Sequence, residues 1–344
     1  MKTRVWFNKG FSVLHHVLQA MHATGQWELY ATHTTQEAPM LYGPWHHELE
    51  PKGVIGKDYV AWALEYCRKH RIEVFFPSKE KSIIQKHKAE FEALGTKVVV
   101  AASAETMRLL DHKSEFLASF PTGICPIPNW RTFHTLAEFE QAVQELGGET
   151  EPLCFKPSVG IYASGFRMLR RRSRMTLLLG NELYAMSYKE AREYFGNNKK
   201  FTEMLLMQLC EGVERSIDCV ALDGELAQCV IRSKSQEGGS QISEENPEVE
   251  QIVRGITRHY GLSGIFNMQL KDRQGVPNML EINPRPSGGI HMSITAGLNF
   301  GHYAALLALG RIRPDEVPAP KRKVKMMSFS SSLLVREEVM EEVH

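Results

Sequence analysis

One stretch of the chain gathers the residue types of a metal–phosphate site: Met279-Leu280-Glu281-Ile282-Asn283-Pro284-Arg285-Pro286-Ser287-Gly288-Gly289. On a β-strand, residues two apart point to the same face. Glu281 and Asn283 therefore aim together, while Leu280 and Ile282 aim at a core. A carboxylate and a carboxamide side by side are hard oxygen ligands that suit Mg²⁺, with Mn²⁺ as the alternative, and such an ion takes phosphate oxygens in its remaining positions. Arg285 adds a fixed planar cation next door. Ser287 and Gly288, just beyond, are candidate substrate contacts.

A third oxygen ligand is available from Gln269, on the apolar run Ile265 to Lys271. The two runs read as a hairpin, and facing residues of an antiparallel pair have a constant index sum. Gln269 and Glu281 share a face only if that sum is even, so the turn at 272–275 is expected to have an odd count or a bulge, with Gly275 at φ > 0.

Upstream, Leu153-Cys154-Phe155-Lys156-Pro157 is an apolar strand that delivers a lysine. A loop of small residues, Ser158 to Gly165 (including Gly160 and Ser164), follows it. A lysine below such a loop makes a phosphate clamp: a point charge plus a nest of backbone N–H groups. It is not a Walker A loop, which runs G-x-x-x-x-G-K-[ST] into a helix. Met207, Gln208 and Leu209 close an apolar run before Gly212-Val213-Glu214. Apolar side chains there suit a sandwiched adenine, and Glu214 suits ribose hydroxyls; an exposed strand-edge acid is the plain alternative. Arg232 and Lys234 root a loop at 235–243 that suits closure over a triphosphate, or is a long hairpin turn. The cluster Arg170-Arg171-Arg172 with Arg174 reads as a solvated face.

These residues need a frame. Residues 1–105 alternate strand and helix signals: strands at Val5–Phe7, Trp27–Thr32, Ile72–Phe76 and Val98–Ala101, and helices at Phe11–Thr24 (with Ser12 as N-cap), Tyr59–His70 and Ser82–Leu94. That alternation predicts βαβ units and a parallel sheet, whose ligands sit beyond the C-terminal strand ends. Lys9 and Gly10 lie at such an end and suit an anionic substrate, or form an ordinary βα turn. The loop at 33–57 is long, and nothing in it names a role. Short helices follow at Ser103–Leu110 and Lys113–Phe120, an amphipathic helix at Thr135–Leu146, a helix at Glu244–Tyr260 and a last one at Gly301–Leu309. Residues 317–325, rich in Pro and Lys/Arg, read as an exit, and the tail to His344 carries no signal.

The chain has 344 residues, 43% hydrophobic and 24% charged, with net charge +1. That balance offers no bulk attraction to nucleic acid or membrane, and no apolar run approaches the ~20 residues of a membrane span. Six scattered cysteines without a C-x-x-C pair read as small buried hydrophobes in a cytoplasmic protein. His15-His16 and His46-His47 lack the spacing of a zinc motif.

A strand with Gln269, a hairpin, and then Glu281-Ile282-Asn283-Pro284-Arg285 with Ser287-Gly288-Gly289 resemble the metal end of the ATP-grasp fold. The order of parts agrees over most of the chain. The resemblance is closest to the carbamoyl-phosphate-synthase-like and amino-acid-ligase branch, and looser to the ATP-grasp proteins encoded beside tellurite-resistance genes. It implies an α/β (α+β) molecule: a Rossmann-like domain at 1–105, ATP-grasp subdomains at 106–185 and 186–320, and a tail at 321–344. It implies that Lys113 and Lys156 hold the ATP phosphates, 158–165 covers them, Met207 to Cys210 form the adenine hinge and Glu214 takes the ribose. It implies that Glu281, Asn283 and Gln269, the last in place of a carboxylate, bind Mg²⁺, and that Arg285 steadies the transferred phosphoryl group. Gln208 stands where the hinge often has an acid, and the 158–165 loop has fewer glycines than most. The implied activity joins a small-molecule carboxylate to an amine or thiol through an acyl phosphate; the sequence does not name the oligomer, and a homodimer is one candidate. A hydroxyl kinase and a non-catalytic nucleotide-binding scaffold are the rivals.

Overall fold

The computed structural model describes residues 2–160, 165–171, 184–198, 200–235 and 239–329. Packing divides the chain into two units: Met1–Met107 with Ser216–Met268 and Asn283–His344, and Arg108–Arg215 with Gln269–Ile282.

The first unit begins with a five-stranded parallel sheet, β1 (Thr3–Phe7), β2 (Trp27–His33), β3 (His46–Leu49), β4 (Val74–Phe76) and β5 (Lys97–Val98), in the order β3-β2-β1-β4-β5. Val5-Trp6-Phe7 and Val74-Phe75-Phe76 are continuous apolar runs because both faces of this sheet are covered. Register sets Trp6 beside Phe75 and Phe7 beside Phe76, and the rings stack at 3.9 and 4.5 Å. One face carries Trp6, Tyr30, Tyr59, Phe75 and Phe91; the other carries Val5, Phe7, Leu29 and Ala31.

The covering helices are α1 (Leu14–His22), α2 (Gly56–His70), α3 (Lys81–Lys86) and α4 (Lys88–Ala93). Three expectations are corrected here. Val13, not Ser12, caps α1, with no side-chain hydrogen bond. The helix expected over Ser82–Leu94 is broken at His87. The long loop contains a 3₁₀ turn, Pro39–Leu41, and the edge strand β3. All four β3 residues are exposed, so no alternation betrayed it.

After α5 (Ala104–Asp111) and α6 (Lys113–Ser119), the second unit builds a sheet from β6 (Trp130–Phe133), β7 (Leu153–Pro157), β8 (Arg167–Arg170), β9 (Ala185–Ser187) and β10 (Met204–Gln208), in the order β6-β10-β7-β8-β9. Phe133, Phe139, Phe155 and Phe195 fill its core under α7 (Leu136–Glu145) and α8 (Tyr188–Asn197). Thr135 caps α7 by accepting from the Glu138 N–H, and Ser187 with Glu190 forms a capping box on α8.

A six-stranded sheet follows: β11 (Glu214–Leu222), β12 (Glu225–Lys234), β13 (Ser240–Ser243), β14 (Gly264–Arg273), β15 (Val276–Asn283) and β16 (Lys325–Met327), in the order β15-β14-β11-β12-β13-β16. Asp223 (φ 46°) and Gly224 (φ 86°) make the expected tight hairpin turn. α9 (Pro247–His259) starts with Asn246 accepting from the Val249 N–H. α10 (Ile290–Thr295) and α11 (Phe300–Ala308) complete the first unit. The segment read as an exit ends in β16, paired with β13.

Candidate active site

In the second unit, Lys156 occupies the half-buried end of β7, opposite Leu205 of β10. Lys113 is the first residue of α6, and both its nitrogens reach the small-residue loop: its backbone N–H donates to the Ser158 carbonyl at 2.9 Å and its Nζ to the Gly160 carbonyl at 2.7 Å. Ser158 is 1% exposed, and its N–H donates to the Glu203 carbonyl. Gly165 closes the loop at φ 73°, where a Cβ would stand 2.8 Å from Pro157 Cδ. Ser164 and the arginines at 172 and 174 lie outside the described residues.

The Cys154 thiol is pushed up to about 12 by burial, against the pull of Lys156, Lys271 and Arg170. That pull identifies a cationic face around β7. Lys271 belongs to it and escaped the sequence reading. Its Nζ lies 3.7 Å from the Glu214 carboxylate.

The connector from β10 to β11 is held by its backbone. Gln208 N–H donates to the Asn129 carbonyl and Leu209 N–H to the Pro152 carbonyl. Met207, Leu209 and Cys210 are buried. Gly212 N–H donates to the Asp272 carbonyl at 2.9 Å, and Asp272 N–H donates to the Val213 carbonyl at 3.0 Å. A Cβ at Gly212 would meet Asp272 Cβ at 2.7 Å, so only glycine allows this approach. The Asp272 carboxylate also accepts from Arg215 Nη1 at 2.5 Å. Asp272 is thus a positioning residue for the connector that the sequence reading passed over as a turn residue.

The β14–β15 turn is Gln274 (φ 53°) and Gly275 (φ 80°), a two-residue turn rather than an odd one. By itself it sets Arg273 opposite Val276 and gives Gln269 the face of Leu280. Burial along β15 does not stay regular, however. In β14, Gln269, Lys271 and Arg273 are half-exposed, while Met268, Leu270 and Asp272 are buried. In β15, Leu280 and Glu281 are both half-exposed, then Ile282 is buried and Asn283 half-exposed. Two successive half-exposed residues are the burial pattern that a bulge at Leu280–Glu281 produces. Among the described residues no group of three His, Cys, Asp or Glu side chains is placed to hold a metal. A divalent ion here would rest on one carboxylate, two carboxamides and ligand oxygens, a set that fits Mg²⁺ with a nucleotide phosphate.

In the first unit, Asn283 and Arg285 are joined. The Arg285 backbone N–H donates to the Asn283 carbonyl at 2.7 Å, Nη2 to Asn283 Oδ1 at 3.0 Å and Nη1 to the Pro286 carbonyl at 3.0 Å. The guanidinium lies over the Phe11 ring at 5.3 Å, and Lys81 Nζ donates to the Pro284 carbonyl at 3.4 Å. The half-buried Arg285 head is therefore fixed at the carboxyl end of the parallel sheet.

Residues 200–331 match the family described as "ATP-grasp in the biosynthetic pathway with Ter operon". Along its length the chain resembles the L-amino acid ligase of Bacillus licheniformis, at 17% identity and a TM-score of 0.63, over 93% of this chain and 78% of that one. It also resembles N5-carboxyaminoimidazole synthetase from Staphylococcus aureus complexed with ADP, at 13% identity and 0.63, over 94% and 81%. A third likeness is to the biotin carboxylase domain of the Hydrogenobacter thermophilus 2-oxoglutarate carboxylase with MgADP and bicarbonate, at 16% identity and 0.60, over 90% and 70%. The chain has the ATP-grasp fold. No curated protein matches it in sequence.

Within this fold, two of the expected substrate residues sit elsewhere than on an open surface. Arg232 is 1% exposed and Asp218 is fully buried, 2.8 Å apart. The guanidinium also donates to Ser293 Oγ at 2.7 Å, Ser287 Oγ at 3.0 Å, Ser216 Oγ at 3.2 Å and the Gln241 side chain. The Ser287 hydroxyl thus faces this network, and Gly289 wraps it so closely that a Cβ would lie 2.6 Å from Arg232 Nη1. Lys234 and Gly288 are exposed. At the carboxyl end of β1, the Lys9 N–H donates to the buried Glu50 at 2.5 Å, and a Cβ on Gly10 would meet Leu14 at 2.4 Å.

Proposed function

We propose that the chain is an ATP-dependent ligase that activates a carboxylate as an acyl phosphate and joins it to an amine. The observation that carries this reading is the pairing, along one stretch, of hard oxygen ligands on the half-exposed side of β15 with the fixed Arg285 guanidinium. The similarity to an L-amino acid ligase, and to structures holding ADP and bicarbonate, supports it.

In this reading Lys113, Lys156, Ser158, Gly160, Ser164 and Gly165 hold the triphosphate. Met207, Gln208, Leu209 and Cys210 hold the adenine. The N–H groups of Cys210 and Glu211 have no hydrogen-bond partner among the described residues, so they are available to ring nitrogens. Glu214, kept near Lys271, takes the ribose hydroxyls. Gln269, Glu281 and Asn283 would hold Mg²⁺, which would supply positive charge against the phosphate oxygens.

A substrate carboxylate oxygen attacks the γ-phosphorus, the bond to the bridging oxygen breaks and ADP leaves. The amine nitrogen then attacks the acyl carbon, inorganic phosphate departs, and the nitrogen loses a proton. Arg285 stabilises charge on the transferred group and on the acyl phosphate; it needs no reorganisation because Asn283, Pro286 and Phe11 already hold it.

Product analysis with MgATP and a panel of amino acids and dipeptides tests the reading. ADP, free phosphate and an amide are expected. ADP with a stable phosphoester would make the chain a kinase, a thioester would change the acceptor, and no nucleotide turnover with any pair would refute the ligase.

A further inference from the structure

The loop at 33–57, mute in sequence, lines a cavity of about 610 Å³ at the carboxyl ends of the parallel strands. Its walls are Lys9 after β1, Thr34 to Glu37 after β2, Lys52 to Ile55 after β3 and Lys79 after β4. They bring three ammonium groups and one carboxylate, Glu37. Carboxyl strand ends are where open parallel sheets bind ligands, and the volume suits a small molecule.

The cations are held differently. Lys79 is anchored, its Nζ 3.6 Å from the buried Glu50 carboxylate and 4.1 Å from the Tyr59 ring centre. Glu50 is fixed in turn by Tyr59 Oη and Thr32 Oγ1, each donating at 2.9 Å. The Lys9 and Lys52 side chains make no ion pair with any described residue. A net positive, polar cavity with two uncommitted ammonium groups and an apolar ledge of Val54 and Ile55 selects a small dianion.

We propose that this cavity binds a dianionic small molecule, a phosphate monoester or a dicarboxylate, as one of the substrates. Its role as a substrate rests on the ligase reading; its binding does not. The same strand ends carry Arg285: the guanidinium packs on Phe11, just past Lys9, and Lys81, just past Lys79, holds the Pro284 carbonyl.

The test is calorimetric titration of the full chain, without nucleotide, using O-phosphoserine, succinate and inorganic phosphate as probes. Wild type is compared with Lys9→Gln, Lys52→Gln, the double variant and the exposed control Lys57→Gln, all checked for unchanged melting. Phosphoserine or succinate should bind, each single variant should weaken binding ~10-fold as for a lost charge-assisted hydrogen bond, and the control should match wild type. Preference for phosphoserine or succinate names the source of the dianion. Inorganic phosphate binding alone, equal binding by the double variant, or no binding to wild type at millimolar concentration would overturn the site. MgATP is titrated into wild type in parallel: its failure to bind would sink the ligase reading and leave the dianion result standing.

Discussion

Replacing Arg232 with methionine separates two roles that look alike in sequence. If Arg232 were an open cation at the root of a loop, its loss would weaken ligand binding and leave the fold alone. Its surroundings say otherwise. The guanidinium is 1% exposed, sits 2.8 Å from the fully buried Asp218, and donates to three serine hydroxyls and Gln241. Without it, the donors left to Asp218 among the described residues are Ser293 Oγ at 2.6 Å and Asn267 Nδ2 at 3.1 Å, around a fully buried carboxylate. Removing one partner of such a buried pair costs about 3–5 kcal/mol. That is a large share of the ~5–15 kcal/mol that holds a domain folded, and it translates to a drop in Tm of roughly 6–20 °C at ~2–4 °C per kcal/mol. Scanning calorimetry with urea melts of Arg232→Met measures it, with the exposed Lys234→Met as a control expected within ~0.5 kcal/mol of wild type. Adding Asp218→Asn to Arg232→Met should recover stability, because the orphaned carboxylate is gone. An Arg232→Met protein as stable as wild type that fails to bind a substrate anion would refute the reasoning and restore Arg232 to the ligand.

Glu281→Ala and Arg285→Ala should each lower ADP release by ~10²-fold or more, as for other lost transition-state charge contacts, with melting little changed; turnover within a few fold of wild type in both would argue for a non-catalytic scaffold. Gly212→Ala should destabilise by ~1–3 kcal/mol, because the new methyl overlaps Asp272, and should weaken MgATP more than it weakens the dianion probes; equal binding of MgATP would detach the connector from the nucleotide. Burial pushes the Cys67, Cys154 and Cys229 thiols up to about 12. Unfolded thiols titrate near ~8.5, so above that pH the folded chain holds the more protons and stability falls as pH rises, by up to ~1.4 kcal/mol per thiol per pH unit. The full contribution is present at neutral pH, and a Tm that stays flat from pH 7 to 10 would contradict it.

What was legible in the sequence was whatever a local pattern determines. Val5-Trp6-Phe7 and Val74-Phe75-Phe76 announce strands covered on both faces, and Asp223-Gly224 announces its turn by residue type alone. The stretch from Glu281 to Arg285 declares its chemistry because its donors are neighbours in the chain. What was not legible depends on partners far away. β3 is an exposed edge whose only signature is pairing with β2. The break at His87 interrupts an otherwise helical pattern. Lys271 reads as a surface strand residue until β11 brings Glu214 to it, and Asp272 reads as a turn residue until Gly212 and Arg215 arrive. The hairpin register was framed correctly as a parity question, but a two-residue turn reversed the expected answer at the turn, and only the burial slip at Leu280–Glu281 points back to a shared face.

Arg232 and Arg285 show why burial decides what residue type cannot. Both sit beside small and polar residues, and both look suited to an anion. Arg232 meets a charge of its own chain in a closed space, with Asp218, Ser216, Ser287, Ser293 and Gln241 surrounding it. A ligand there would have to displace an internal ion pair. Arg285 is half-buried, and among the groups that orient it are the Asn283 side chain, the Pro286 carbonyl and the Phe11 ring. The buried arginine also serves the half-exposed one, because Ser287, bonded to Arg232, lies two residues beyond Arg285 in the same turn. A half-buried guanidinium already held in place is what a phosphoryl group in transfer requires, and the buried Arg232–Asp218 pair keeps the turn in place to offer it.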